Sequence, residues 1–510
     1  MKFLSQTLFL FLIIFPLITS KHPVLYEIST RPWLYELSKK YSKQITKLRD
    51  IPLSEFDTLK SYGIDYIWLM GIWKLGPYGL EFDRRSDYSS VLPGWTKDDV
   101  IGSPYAISEY VCNPDIGTDD DILWIKNEIN QRGMKLMLDF VPNHSSCDAP
   151  TADSNPDYYV RAPKNLQPPY DSKYYTEKGL AHGKDPYFDP WADVIQWNYF
   201  NEDTRNFMKK NLMKVLSVSD GVRCDMAHLL LNDVFKNTWK KELESWGYNV
   251  PSNEFWDSAI REVKSKYPNV IFLAEVYENW EIKKLIELGF DYCYDKELLD
   301  KFISSSTEVN NYIHYKTEDF FGHSSHFIEN HDENRGVYNM GSVERSNAAG
   351  VIAATVGGMI FFNHGQFKGL RNKLDVHLRR GADEKESQSA IQHYNNLLRI
   401  IKDDAFKSKN YYFVYNINGN DAWRFVAYIR KEINSFLVVV NYSDGYGCAN
   451  VPIYDVNKNY VFEMFSKIEY QRDADTMRNM GLTVCMGGYQ SQIFKYNYNN
   501  ANRMKIKVYE

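Results

Sequence analysis

Past its first 20 residues, this 510-residue sequence has no apolar stretch approaching the roughly 20 residues a helix needs to cross a bilayer, so no later membrane span is expected. It has no basic run, and its 60 Lys+Arg fall below its 66 Asp+Glu, a net charge of −6. A surface that follows nucleic-acid phosphates needs the opposite balance, in patches, so a nucleic-acid partner is excluded. No short period recurs and no long polar tract occurs, which excludes collagen-like, coiled-coil and disordered readings. Cysteine is sparse at six residues, with no CxxC and no Cys/His cluster to suggest zinc. Aromatic side chains are abundant instead: 38 Tyr, 28 Phe and 12 Trp, or 15% of the chain. Such rings supply core first, and a surface for flat ligands second.

The apolar exception lies at the start. Met1 to Ser20 carries Lys2, an unbroken apolar run from Leu8 to Phe15, and a small Ser20. It is short for a span and reads as a signal peptide removed near Lys21, with a retained anchor as the alternative. A leader of this kind implies a secreted protein or one within the secretory or endolysosomal route, where cysteines can pair. The six cysteines allow 15 connectivities. Cys448 and Cys485 both fall in the C-terminal region and are the candidate pair, Cys112 and Cys147 flank neighbouring loops, and Cys224 and Cys293 read as buried thiols in apolar runs.

Strand-like apolar runs recur eight times before about residue 405: Val24 to Thr30, Asp65 to Trp73, Met134 to Asn143, Asp220 to Ala227, Val270 to Tyr277, Phe290 to Asp295, Ser325 to Asp332 and Gly357 to Gly365. Helical periods lie between several of them, as in DDDILWIKNEINQRG and EFWDSAIREVKSKYPN. The alternation predicts a parallel sheet, and eight units favour a closed (β/α)8 TIM barrel over an open doubly wound sheet. One connection, Ser145 to Trp197, is too long and too rich in Pro, Asp, Tyr and Gly to be a simple loop, and reads as a functional insertion. After about residue 405, short alternating runs without helices predict an antiparallel β domain.

In parallel barrels the working residues gather at the C-terminal strand ends. Here those ends hold Asp139 and Asn143-His144, Arg223 and Asp225, Glu275, and Asn330-His331-Asp332. Period two puts Arg223 and Asp225 on one strand face, where a cation favours an ionised carboxylate. Asp225 and Glu275 end consecutive strands, so one carboxyl could attack carbon while the other protonates a leaving oxygen. Singly, an acid at a strand end is commonly a helix cap and an NHD commonly a turn. Four such ends in apolar contexts point to a site.

DFVPNH (Asp139 to His144), GVRCDMAH (Gly221 to His228), FLAEVYEN (Phe272 to Asn279) and FIENHDEN (Phe327 to Asn334) resemble, in order and strand number, the four motif regions of the α-amylase superfamily, glycoside hydrolase family 13. SPYAISEY (Ser103 to Tyr110) and IQWNYFN (Ile195 to Asn201) resemble auxiliary stretches of that family. The resemblance implies a barrel over 21–144 and 198–405, an inserted domain over 145–197 and a C-terminal β-sandwich domain over 406–510. It implies a retaining glycosidase acting on α-glucosidic bonds, with an α-glucan or α-glucosyl oligosaccharide as partner. Asp225 would be the nucleophile, Glu275 the general acid and base, and Asp332 the transition-state stabiliser. Arg223 would keep Asp225 charged and Asp139 would orient Arg223. His144 and His331 would hydrogen-bond the sugar, and Tyr105 would stack on it. No cofactor is required for this chemistry. Calcium is possible by family likeness, with Asn143 as the only candidate ligand.

Several positions depart from the family. Starch-cleaving members often carry Lys-His where this chain has His228 and Leu229, and an acid after strand eight where it has Gln366. The sequon at Asn441 is a glycosylation candidate, and that at Asn143 falls inside the proposed site. Alternatives of other classes are a glucanotransferase using the same site and a non-catalytic binding or ectodomain module. Members of the latter kind typically lose the acids that this chain keeps.

Overall fold

Eight parallel strands close into a barrel: β1 (Val24–Ser29), β2 (Tyr66–Met70), β3 (Lys135–Phe140), β4 (Gly221–Cys224), β5 (Ile271–Ala274), β6 (Tyr292–Tyr294), β7 (Ser324–His326) and β8 (Met359–Asn363). Each pairs with its sequence neighbours, and β8 returns to β1. This computed structural model describes residues 21–498, so the leader expected over residues 1–20 lies outside it. Every position of β2, β4, β6, β7 and β8 is buried, which explains why those strands lack apolar/polar alternation.

Outside the barrel, the helix Asp119–Gln131 shows why such segments fold as they do. Thr118 and Asp121 form a capping box, and Ile122, Ile125 and Ile129 make one buried stripe. The helix Phe255–Lys266 buries Phe255, Trp256, Ala259, Ile260 and Val263 in the same way.

Two excursions rise above the C-terminal strand ends. After β3, the strands His144–Ser146, Trp191–Gln196 and His182–Gly183 form a small sheet in that spatial order. The second excursion was not singled out by sequence. After β2, a hairpin of Trp73–Leu75 and Ile107–Cys112 frames the short helix Pro77–Asp83, and Tyr88, Leu92 and Val100 make a separate apolar cluster with Leu378.

The tail contains β9 (Tyr411–Phe413), β10 (Phe425–Lys431), β11 (Ser435–Asn441), β12 (Gly447–Val451), β13 (Tyr460–Glu463), β14 (Ile468–Gln471), β15 (Leu482–Met486) and β16 (Ser491–Tyr496). Six form one sheet in the order β9-β10-β11-β16-β13-β14, and β12 pairs with β15 as a ribbon. One face of the sheet, with Phe425, Ala427, Leu437 and Val439, packs against Val451 and Val484 of the ribbon. The opposite face, with Val426, Tyr428, Phe436, Val438 and Val440, belongs to the barrel's own core, and the Tyr428 and Thr355 hydroxyls lie 2.7 Å apart across that join. Cys448 and Cys485 are disulfide-bonded across the ribbon, while Cys112, Cys147, Cys224 and Cys293 are unpaired.

The sequon at Asn441 requires a correction. Its side chain is fully buried, and its amide donates to the carbonyls of Gly445 (2.8 Å), Met486 and Gly487 (both 3.1 Å). A glycan would take one of the two hydrogens that make these bonds and has no room at a fully buried nitrogen, so the folded protein offers no acceptor at this position.

Candidate active site

Backbone register builds the mouth of the barrel. Arg223 lies beside Asp139 on one side and Leu273 on the other. Past the strand ends, the Asp225 N–H donates to the Phe140 carbonyl (2.9 Å) and the Glu275 N–H to the Cys224 carbonyl (3.0 Å). The two carboxylates are thus carried on hydrogen-bonded, neighbouring backbone.

The Arg223 side chain is fully buried and bridges both acids. Nη1 donates to Asp225 Oδ1 (2.9 Å), Nη2 to Glu275 Oε2 (2.6 Å), and Asp139 Oδ1 is 3.4 Å from Nη1. Trp68, Tyr105 and Tyr294 surround the guanidinium at 5.2, 5.3 and 5.8 Å from ring centroids. Glu275 is the more fully bound acid. Its Oε2 also accepts the Met226 N–H (2.9 Å), and its Oε1 accepts the Tyr277 hydroxyl (2.5 Å). Met226 holds a left-handed backbone, φ 42°, a local strain that places its N–H on the carboxylate.

Sharing the guanidinium alters the electrostatics expected from sequence. Burial, then the Glu275 carboxylate, push Asp225 well above the usual carboxylate range, against the pull of Arg223. Arg223 therefore does not by itself hold Asp225 charged. The same burial and neighbouring charge favour a proton on Asp225 itself. Asp139 is pushed up to about 6, chiefly by burial, and its Oδ2 accepts the Trp68 indole N–H at 2.9 Å.

Opposite them, His331 joins two carboxylates. Its Nδ1 lies 2.5 Å from Glu27 Oε1, and its Nε2 lies 2.9 Å from Asp332 Oδ2 and 2.6 Å from the Tyr105 hydroxyl. Tyr105 also stacks on the imidazole, centroids 5.3 Å apart. Burial opposes protonation of His331, but Asp332 and Glu27 outweigh it and raise the ring to about 10. Burial likewise raises Asp332, whose side chain is still 44% open to the cleft, and contact with His331 reverses this and holds it below the carboxylate range. Asn330 shapes the turn by accepting the Asp332 and Glu333 N–H groups at 3.0 and 2.9 Å.

Asp225, Glu275, Asp332, Arg223, His331 and Tyr105 therefore converge. His144 meets this group only through the Tyr105 backbone, packs on Trp191 at 5.4 Å, and is lowered by burial to about 4. Glu27 lies outside the motifs, and Tyr277 lies within FLAEVYEN but was given no role there. A lone Glu inside VLYEIS was the available signal for the first, because β1 is otherwise apolar. His228 and Leu229 are buried, with His228 Nε2 3.9 Å from Glu281. Gln366 bonds Tyr394 (2.9 Å) and the Asn363 N–H (3.2 Å), a structural use.

Asn143 does not fit a calcium site. The Gln196 amide Nε2 donates to both its backbone oxygen (2.8 Å) and its Oδ1 (2.9 Å), so one N–H group sits where a cation would need those oxygens. Among the described residues no group of three or more His, Cys, Asp or Glu is arranged to hold a metal. Thermal melts in EDTA and in millimolar calcium are expected to coincide. A rise in Tm with calcium would show that the folded protein binds the ion and would overturn this reading.

Comparison with known proteins defines the class. The family description "Alpha amylase, catalytic domain" matches residues 51–479, and the chain belongs to this family, whose members are α-glucan hydrolases and transferases. A particular kinship follows from single relatives. The chain is 23% identical over 420 residues to Alpha-amylase 2 of Dictyoglomus thermophilum, spanning 77% of this chain and 63% of that protein. It is 24% identical over 275 residues to Probable oligo-1,6-glucosidase 2 of Bacillus subtilis, spanning 48% of this chain and 41% of that one. The chain thus spans less than two thirds of the length of each of these two. A maltogenic α-amylase structure from Thermotoga neapolitana shares the fold at TM-score 0.67 and 19% identity, covering 94% of this chain and 99% of its own.

Proposed function

We propose that this protein is a retaining glycoside hydrolase that cleaves α-glucosidic bonds of starch-like or oligosaccharide substrates. Asp225, once its proton has passed to Glu275, attacks the anomeric carbon and forms a glycosyl ester, while Glu275 gives that proton to the departing glycosidic oxygen. Glu275 then removes a proton from water, which attacks the anomeric carbon and releases Asp225. Tyr277 and the Met226 N–H orient Glu275, and Asp332, kept ionised by His331, faces the developing positive charge. The observation that carries this reading is the Arg223 bridge, 2.9 Å to Asp225 and 2.6 Å to Glu275, which binds the attacking and protonating groups to one cation.

Transfer to a second sugar shares the glycosyl ester and differs only in what intercepts it. Product analysis by mass spectrometry and proton NMR on starch, maltooligosaccharides, sucrose and trehalose tests the reading. The first product should carry the α configuration, and products longer than the substrate would indicate transfer. A β product, or no turnover of any of these sugars, would defeat it. A secretory route is the matching location, supported by the Cys448–Cys485 bond.

A further inference from the structure

A cavity of about 520 Å3 lies away from the carboxylates, outside the barrel where β1 meets β8. It opens between the helices Thr30–Tyr41, Leu53–Tyr62 and Gln388–Ile400. Its volume falls in the range of small-molecule sites, roughly 300 to 1,000 Å3. Tyr26 points into it from β1, on the side opposite Glu27.

Its lining has two characters. Phe367 forms an aromatic wall with Tyr26 (5.4 Å between centroids) and Tyr62 (5.8 Å). Around it the charged groups are already matched: Glu36 with His364 at 2.8 Å, Lys40 with Glu55 at 2.6 Å, and Lys368 with Glu386 at 2.8 Å. These pairs leave no unmatched charge in the lining for an ionic ligand to recognise. A purely apolar ligand would cover partly exposed Glu36, Lys40 and Lys368, whose side chains are 44%, 57% and 44% open, without offering them hydrogen bonds. A neutral ring with an apolar face and several hydroxyls satisfies both constraints.

We infer that this cavity binds a neutral saccharide of one or two rings, as a second site separate from the carboxylates. It goes beyond the proposed reaction and does not depend on it. The wall is joined to the reaction side by backbone, since the His364 N–H donates to the Glu27 carbonyl at 2.9 Å.

The test uses the full-length chain carrying Asp225→Asn, so that no sugar is consumed, with maltose and glucose as probes in calorimetry and saturation-transfer NMR. Thr58→Trp fills the cavity from the exposed face of Leu53–Tyr62, and Glu36→Gln removes one acceptor charge. Two classes of site are expected for maltose, with one lost in Thr58→Trp and weakened about tenfold in Glu36→Gln. Hydrogen exchange in the unfilled protein should also slow in Leu53–Tyr62 and Gln366–Lys368 on adding maltose. This second readout needs no cavity variant. A single class unaffected by Thr58→Trp, unchanged exchange in both segments, or occupancy by phenol that neither sugar displaces would overturn the inference. If the proposed reaction failed but two classes remained, the cavity site would stand alone.

Discussion

Replacing Asp225 by Asn should lower turnover of maltooligosaccharides on the order of 10⁵-fold, the scale on which loss of a nucleophile is felt. The protein should remain folded with an undiminished Tm. The folded site raises the Asp225 carboxyl through burial and the Glu275 charge, so a neutral amide of the same shape relieves a buried repulsion. Glu275→Gln should behave differently. It should cost about 10² to 10⁴-fold on natural sugars, the usual worth of a general acid. Much of the first step should return on an aryl α-glucoside whose leaving group needs no proton, and added azide should restore the second step as an α-glucosyl azide, since azide displaces Asp225 from the β-linked ester with inversion. Rates on aryl and natural glucosides, measured beside melting curves, check both variants. Equal loss of Asp225→Asn activity and fold, or azide rescue by the wrong anomer, would contradict the assignment.

Glu27→Gln should lower kcat/KM most at alkaline pH and move its basic limb down by about 1 to 3 units, the effect of removing one adjacent opposite charge. The sign follows from the geometry. Glu27 lies 2.5 Å from His331 and helps raise it to about 10, so without that carboxylate the ring loses its proton at a lower pH and Asp332 loses its cation. Glu27 acts through His331 and is a positioning residue. A merely structural role would depress the whole profile without moving its limb. Stability should follow the same sign: a histidine raised on folding contributes stability that is full below its unfolded pKa of about 6.5 and lost as pH rises through the folded value of about 10. Denaturant titrations across this window should show the loss beginning earlier in Glu27→Gln.

The legible and illegible parts of the site differ in how the chain encodes them. Asp225, Glu275 and Asp332 sit in short local patterns at strand ends, and the barrel converts each pattern into a position in the same mouth. Glu27 contacts a residue 304 positions away, and no local pattern announces such a pair. Asn143 reads as a calcium ligand until Gln196, 53 residues on, is brought against it. Asn441 carries a proper sequon, yet burial depends on three carbonyls from two later turns. The excursion after β2 escaped notice because its helix and hairpin are only three to seven residues long, too short for periodicity to register.

The tail sheet is covered on one face by its ribbon and on the other by the barrel. It is therefore not a detachable appendage. Cutting the chain near residue 405 would strip Tyr428, Val438 and Val440 from the barrel's surface and expose apolar area where the two halves now seal each other. The barrel half would then be an aggregation-prone fragment, and evolution or engineering can exchange this tail only for another that presents a matching greasy face.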